Sequence, residues 1–243
     1  MVILKRFMLM AAIFAVPQLA VIAQPAPVTP GLLTPPSALT VEQMYLQEAI
    51  EMMIIREQIR GGTREMQLVG LDFIGEALSR GSRGPELHAT LEFLAFEGVI
   101  NLTRENGRVI NNFPDVRVRA ANLLGQFGTP AAVQTLLVMV ANDNEPMVLT
   151  EAIRSLGIIG ADPNMEVINT IALTMNRFNN LNPDNLLALS AIEAIERISA
   201  ANDGIVAPTA VQTLIRIAEG NYMTIIRNRA RTALSDLRRG LHH

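Results

Sequence analysis

Few residues of this chain combine the type and the spacing that catalysis or metal binding requires. His88 and Glu92 lie four positions apart, so on a helix they share one face and suit a bound metal or a simple ion pair. A metal site needs more converging ligands than these two. The other histidines, His242 and His243, end the chain. We therefore assign no catalytic, cofactor-binding or metal-binding residue and expect no cofactor.

Other patterns that resemble active-site motifs have simpler explanations. Glu193 and Glu196 lie three apart, which is typical of the solvated face of an amphipathic helix. Gly61-Gly62 and the Gly-Ser-Arg-Gly run at 81–84 are more typical of helix ends than of a phosphate loop. The chain has no cysteine, which excludes disulfides, thiolate metal sites and cysteine nucleophiles. These features favour a protein that is not an enzyme.

One segment places polar side chains in a pattern that suits binding. Residues 99–113, VINLTRENGRVINNF, carry β-branched residues on both sides of an Asn-Gly pair, which is a strong hairpin signal. We predict a small β-hairpin or ordered loop at 99–112, packed on the helical body or on a partner, since isolated hairpins are marginal in water. A tolerated surface insertion is the alternative. The candidate partner-binding residues here are Asn101, Arg104, Asn106 and Arg108.

The two ends of the chain beyond residue 40 differ in charge. Residues 41–60 carry four glutamates against two arginines, whereas 221–240 carry five arginines against one aspartate. This polarity would allow head-to-tail self-association, and a basic end also suits an acidic partner or anionic lipid. Alternatively, the end helices are polar only because they cap the fold. The candidate binding residues at the basic end are Arg227, Arg231 and Arg238.

The elements that position these residues are predicted to be helices. Four segments, 116–128, 148–160, 187–199 and 226–238, align with an alanine and a large aliphatic residue at matching places. The aligned aliphatic positions, Leu124, Leu156, Ile195 and Leu234, are 32, 39 and 39 residues apart, which is the range of helical-pair repeats. The segment 66–78 fits the same frame. Small residues in this register allow neighbouring helices to approach closely.

Second helices are predicted between these segments, at 85–98, 130–143, 165–178 and 207–220, most of them with a proline at or before the start. Two of them contain the same five residues, AVQTL, at 132–136 and 210–214. A further helix over 41–60 ends at Gly61-Gly62. We therefore predict an all-α fold, a right-handed α-α superhelix of about five helical pairs plus an N-terminal helix.

The segment PDVRVRAANLLGQFGTPAAVQTLLVMVAND, residues 114–143, resembles a HEAT repeat of the short bacterial type also found in phycobilin lyases. The resemblance covers 64–239 and implies an armadillo-type α-solenoid that scaffolds or binds other proteins. The arginine of this pattern, Arg117, returns as Arg227 but is replaced by Gln67, Leu149 and Ala188. The residues that carry the match are Val116, Arg117, Ala120, Leu124, Gly125 and Gly128.

The first 40 residues have a different character from the rest. Residues 1–23 have a basic start, a short apolar run and a small residue at Ala23, which predicts a signal peptide cleaved before Gln24. An uncleaved anchor is the alternative. Residues 24–40, QPAPVTPGLLTPPSALT, contain five prolines. This composition predicts an extended linker, either a spacer or a docking strand. The domain would then span 41–240, with a tail at 241–243.

The net charge and the predicted signal peptide together limit the class of function. Without Lys5 and Arg6, the 20 basic residues fall to 18 against 23 acidic ones, so the net charge falls from −3 to −5, which does not favour nucleic-acid binding. We expect an exported, periplasmic scaffold or adaptor for envelope proteins, with secretion as the alternative location and no membrane span after cleavage. A structural subunit of a large envelope assembly is the second possibility. A tetrapyrrole lyase or chaperone fits less well, because export separates it from cytoplasmic pigments.

Overall fold

The computed structural model describes residues 40–60, 62–181, 183–202 and 207–240. The predicted signal peptide, nearly all of the proline-rich linker and the tail at 241–243 lie outside the described residues. The chain divides into two units, Met1–Thr40 and Val41–His243. All the helices and strands described below belong to the second unit.

The described residues form ten helices and one short hairpin. The first helix is α1, Val41–Arg60. A first row contains α2 Arg64–Ser79, α4 Pro114–Phe127, α6 Pro146–Ile159, α8 Asn185–Ala201 and α10 Thr224–Gly240. A second row contains α3 Pro85–Ala95, α5 Pro130–Asn142, α7 Glu166–Leu181 and α9 Pro208–Glu219. The strands are β1 Arg104–Glu105 and β2 Arg108–Val109.

Helices of each row pack on the next helix of the same row and on neighbours in the other row, while α1 covers α2 and α3 at one end. This arrangement is a solenoid of helical pairs, because each pair shares its core with the pairs beside it. The prediction of an all-α solenoid with an inserted hairpin is confirmed. In the described part, four complete pairs lie between α1 and α10.

Local sequence signals set where the helices begin and end. Thr129 caps α5 by accepting a hydrogen bond from the Ala132 amide, and Pro130 occupies the first turn, where a missing amide donor costs little. Gly128 and Gly160 end α4 and α6 with φ of 67° and 72°, a left-handed conformation that favours glycine. Each helix of the central repeats therefore starts and stops where its sequence specifies.

The aligned small and large residues form the core between the rows. The alanines at 120, 152, 191 and 230 are fully buried, and Leu124, Leu156 and Ile195 are almost so. A Cβ on Gly157 would lie 2.7 Å from the Cα of Ala194, so α6 and α8 approach more closely than any side chain there permits. In both AVQTL copies the alanine, threonine and leucine are buried, so this repeated sequence serves packing.

The N-terminal helix α1 has apolar residues on two faces. Met52, Ile55 and Ile59 are buried against α2 and α3. Ile50 and Ile54 point away from the core. The end of the solenoid therefore presents an aliphatic surface to its surroundings.

Candidate protein-interaction site

The inserted segment forms the hairpin that the Asn-Gly pair predicts. Arg104 pairs with Val109 and Glu105 with Arg108 in an antiparallel ladder, and the Ile110 amide extends it by donating to the Thr103 carbonyl at 3.0 Å. Asn106 and Gly107 at the tip have φ of 50° and 80°. Two consecutive positive φ values fit the right-handed twist of a two-residue hairpin turn.

The base of the hairpin is fixed by one buried side chain and one glycine. The side-chain Nδ2 of Asn111 donates to the Asn101 carbonyl at 2.8 Å, and its Oδ1 accepts from the Thr103 backbone amide at 2.9 Å. Gly98 has φ of 75°, and a Cβ there would lie 2.5 Å from the Asn111 carbonyl oxygen. The two arms of the insertion are therefore tied together where they leave the helices.

Arg117 of α4 anchors this base to the solenoid interior. Its side chain is 1% exposed and pairs with Asp143, with 2.7 Å between Nε and Oδ2. Its remaining guanidinium nitrogen donates to the Glu97 carbonyl at 3.1 Å and to the Asn112 side chain at 2.8 Å. A fully buried charge is stable only when paired and hydrogen-bonded, and two of the three bonds named here lead to the hairpin base.

Glu97 lies beside this network and is also buried. Burial raises the pKa of its carboxyl group, while hydrogen bonds from Gln67 and Asn111 and the charge of Arg117 oppose that rise. Its Oε2 and the Oε1 of Gln67 are buried without a hydrogen-bond partner among the described residues. The ionised form of Glu97 at the base of the hairpin is therefore destabilised by its burial.

Above this polar base, the hairpin exposes apolar side chains. Ile100, Leu102 and Ile110 are each close to half exposed, and so is Phe93 at the end of α3. The Asn101 side chain donates to the Phe93 carbonyl at 3.4 Å, which holds this end of α3 against the hairpin base. We call Phe93, Ile100, Leu102 and Ile110, together with Arg104 and Arg108, the hairpin surface.

A groove between α1 and α3 also reaches Phe93. Its volume is about 460 Å³, and its walls include Arg56, Ile59, Ala89 and Phe93. The hairpin surface and this groove therefore share one aromatic side chain. Exposed apolar groups beside basic ones suit a protein partner that offers apolar side chains and carboxylates.

The structure places the four hairpin candidates from the sequence in different roles. Arg104 and Arg108 are exposed on the two strands, and Arg104 also donates to the Gly107 carbonyl at 3.3 Å. Asn106 is exposed at the turn, where its left-handed φ serves the backbone. Asn101 is held in the base by its hydrogen bonds. Within the group, only the two arginines present charge outward.

The three candidates on α10 lie in a separate part of the solenoid. Arg231 is exposed and donates to the Asn228 side chain and to the Ala218 carbonyl. Arg227 is half-buried and donates to the Thr224 hydroxyl, whereas Arg238 is exposed. Since α10 packs on α8 and α9 and the hairpin follows α3, the structure does not bring the two groups together.

His88 and Glu196, which the sequence analysis considered for metal binding or catalysis, both contact other side chains of the solenoid. His88 contacts the Thr135 hydroxyl at 3.3 Å and the ring of Phe127. Both terminal guanidinium nitrogens of Arg229 donate to the Glu196 carboxylate, which links α8 to α10. Within the described ranges, no three His, Asp or Glu side chains converge as a metal site would require. No described helix is long and apolar enough to cross a lipid bilayer.

Sequence reasoning missed the apolar part of the hairpin surface. The β-branched pattern that predicted the hairpin contains Ile100 and Ile110. The available signal was the shortness of the insertion, because a small hairpin has too little surface to bury its own apolar side chains. It also missed that Arg117 reaches the hairpin. Four positions aligned with Arg117 carry glutamine, leucine, alanine and arginine, and three of these, Gln67, Leu149 and Ala188, are fully buried too.

Stacked helical pairs with a shared core define an α-solenoid. Residues 109–173, which extend from the end of the hairpin into α7, match the family model for HEAT repeats. Together with the packing of the helices, this match supports a HEAT-repeat protein, as the sequence resemblance predicted. No curated protein matches the chain.

Proposed function

We propose that this protein is an exported, non-enzymatic scaffold that binds a protein of the cell envelope through the hairpin surface. HEAT repeats support a role in protein interaction, since they provide extended surfaces for it. The observation that carries the proposal is an exposed apolar and basic hairpin fixed from below by the buried Arg117 network. A surface whose shape is set before binding loses little conformational entropy when a partner docks.

The partner is expected to offer apolar side chains together with acidic groups. The half-exposed side chains of Ile100, Leu102 and Ile110 supply the apolar contact, and Arg104 and Arg108 supply the charge. Apolar anchors in the centre of an interface carry most of its energy, and charges at its rim mainly set specificity and association rate.

Co-purification from envelope extracts tests this function. The tagged protein should recover a specific envelope protein, and Leu102→Asp combined with Ile110→Asp should reduce its recovery at least tenfold. Leu173→Asp is the matched control, because Leu173 is a 71% exposed leucine on α7, away from the hairpin. If the hairpin variant recovers the same proteins as the wild type, the hairpin surface is not the binding site.

Export rests on residues 1–23, whose sequence has the layout of a cleavable signal. We expect the protein isolated from cells to begin at Gln24 and to be released with periplasmic contents. N-terminal sequencing of that protein checks both statements. Recovery in the cytoplasm with Met1 intact would contradict export while leaving the binding surface to be tested separately.

A structural subunit of a larger envelope assembly is the second candidate function. It is favoured by the aliphatic outer face of α1, which leaves one end of the solenoid without a polar cap.

A further inference from the structure

The outer face of α1 carries four aliphatic side chains that nothing in the described structure covers. Leu46 is 59% exposed, Ile50 52%, Met53 65% and Ile54 43%. We call these four residues the α1 ridge. Solenoids normally end in helices with polar outer faces, because an apolar end remains open to further stacking. The α1 ridge is therefore a surface that requires an occupant.

We propose that the occupant is α1 of a second copy of this chain, packed across a two-fold axis near Ile50. Leu46, Ile50 and Ile54 are spaced by four residues, so they form one straight ridge of the helix surface. Ridges of this spacing pack into each other at a crossing angle of about −50°. The ridge is nearly symmetric about Ile50, because a large aliphatic residue lies four positions away on each side. In the two-fold dimer, Leu46 of one copy then contacts Ile54 of the other.

Charge placement allows this pairing. Next to the ridge, Arg56 is paired with Glu86 and Arg80 with Glu51 inside the same chain. Glu57 is exposed, but it lies seven residues from Ile50. At 1.5 Å per residue on either side of the axis, the two Glu57 positions are about 21 Å apart along the helices, beyond the ~8 Å screening length at physiological salt.

The other end of the solenoid does not match the α1 ridge. The outer face of α10 exposes Asn228, Arg231, Thr232 and Ser235 beside one isoleucine, Ile225, so it is mostly polar. Head-to-tail stacking would therefore bury the aliphatic ridge against hydrated polar groups, each of which would lose hydrogen bonds to water. A two-fold pairing of α1 with itself buries like against like.

The size of the ridge sets the expected strength of the dimer. About half of each of the four apolar side chains is available per chain. This is less than the roughly 800 Å² per partner of stable complexes. We therefore expect a reversible dimer with a dissociation constant of about 1 to 100 µM.

Sedimentation velocity tests the proposal on the chain that begins at Gln24, which retains the whole unit 41–243. The weight-average sedimentation coefficient should rise from the monomer to the dimer value as the concentration increases. Ile50→Asp should weaken association at least tenfold. Ile225→Asp should not, although Ile225 is a 71% exposed isoleucine on α10.

Single cysteines test the register, since the protein has no cysteine of its own. Under mild oxidation, Ile50→Cys should form a disulfide-linked dimer much faster than Leu46→Cys or Ile225→Cys, because only position 50 meets itself at the axis. Equal rates at the three positions would overturn the proposed geometry.

Removing residues 24–39 tests whether this segment of the same chain, rather than a second copy, covers the α1 ridge. The proposal predicts the same dimerisation with and without this segment. Dimerisation that appears only after its removal would show that the chain covers its own ridge and would overturn the proposal. A protein that remains monomeric in both forms at several hundred micromolar would overturn it as well.

Discussion

The hairpin surface and the α1 ridge both expose aliphatic side chains, but different buried residues support them. Beneath the hairpin lies a buried polar network in which Arg117 bonds to Asp143, Asn112 and the Glu97 carbonyl. Beneath the ridge lie the aliphatic side chains of Met52, Ile55 and Ile59. One surface is positioned by directional hydrogen bonds, and the other by shape and area alone.

This difference suits two kinds of recognition. A backbone loop has no regular shape of its own, so hydrogen bonds at its base must define the position of each exposed side chain. A helix already has a defined surface and needs only enough buried area on its inner face. This difference is consistent with the two proposals above, a specific protein partner for the hairpin and a second α1 for the ridge.

The largest effect is expected from Arg117→Met, which should destabilise the protein by about 3 to 5 kcal/mol, because it leaves Asp143 buried and without its partner charge. Amide exchange should rise strongly in the hairpin and much less in α1. Urea unfolding and hydrogen exchange measure these effects. The control is Arg119→Met, which breaks an exposed pair with Asp72 and should cost less than about 1 kcal/mol.

Ile55→Ala should act on the other surface. Ile55 is 1% exposed on the inner face of α1, and truncating such a residue costs about 2 to 4 kcal/mol through lost burial and the cavity left behind. Exchange should increase across 41–60 while the hairpin stays protected. Ile54→Ala, on the exposed face, is the control and should change stability by less than about 0.5 kcal/mol. Equal loss of protection in the hairpin would show that the two surfaces are not independent.

Glu97→Gln should reveal the pH dependence of the hairpin base. Burial raises the pKa of Glu97, so the folded protein holds its proton more tightly than the unfolded chain does. The free energy of unfolding therefore falls as the pH rises from the ordinary glutamate range through the raised pKa, and the loss is complete above it. Glu97→Gln should be more stable than the wild type at pH 7, with the difference shrinking towards pH 4.

Thermal unfolding across this pH range measures the effect. The exposed hairpin residue Glu105 supplies the control, and Glu105→Gln should change the stability at pH 7 by less than about 0.5 kcal/mol. A Glu97→Gln variant that is less stable than the wild type at pH 7 would contradict the direction argued here.

The smallest effect is expected from Arg56→Gln, which removes the exposed pair between α1 and Glu86. Exposed pairs contribute about 0.2 to 1 kcal/mol and are screened by salt. The difference from the wild type should disappear near 1 M salt. A larger, salt-independent loss would mean that α1 depends on this pair as the hairpin depends on Arg117.

Much of the solenoid follows from its sequence. The alanine and leucine positions that recur every 32 to 39 residues predicted which side chains are buried, because a stacked repeat reuses one packing niche. The Asn-Gly pair predicted the hairpin turn, because only residues that tolerate positive φ fit it. These are local rules, and the structure follows them.

The candidate site was less accessible from the sequence. Whether Ile50 and Ile54 face the core depends on which side of α1 meets α2 and α3, and the helical period of α1 alone does not choose that side. The link from Arg117 to Glu97 and Asn112 joins residues from different elements, and no spacing along the chain encodes it. The binding role of Arg227, Arg231 and Arg238 on α10 stays a prediction. The sequence did not indicate that Arg231 also donates to the Ala218 carbonyl.

Site-specific photo-crosslinking in intact cells tests the central claim most directly. A benzophenone amino acid would replace Leu102 on the hairpin or Leu173 on α7, both of which are exposed leucines. The account predicts that the probe at 102 crosslinks to one discrete envelope protein and that the probe at 173 does not. Identical crosslinks from both positions, or none from 102 while 173 captures a partner, would contradict it.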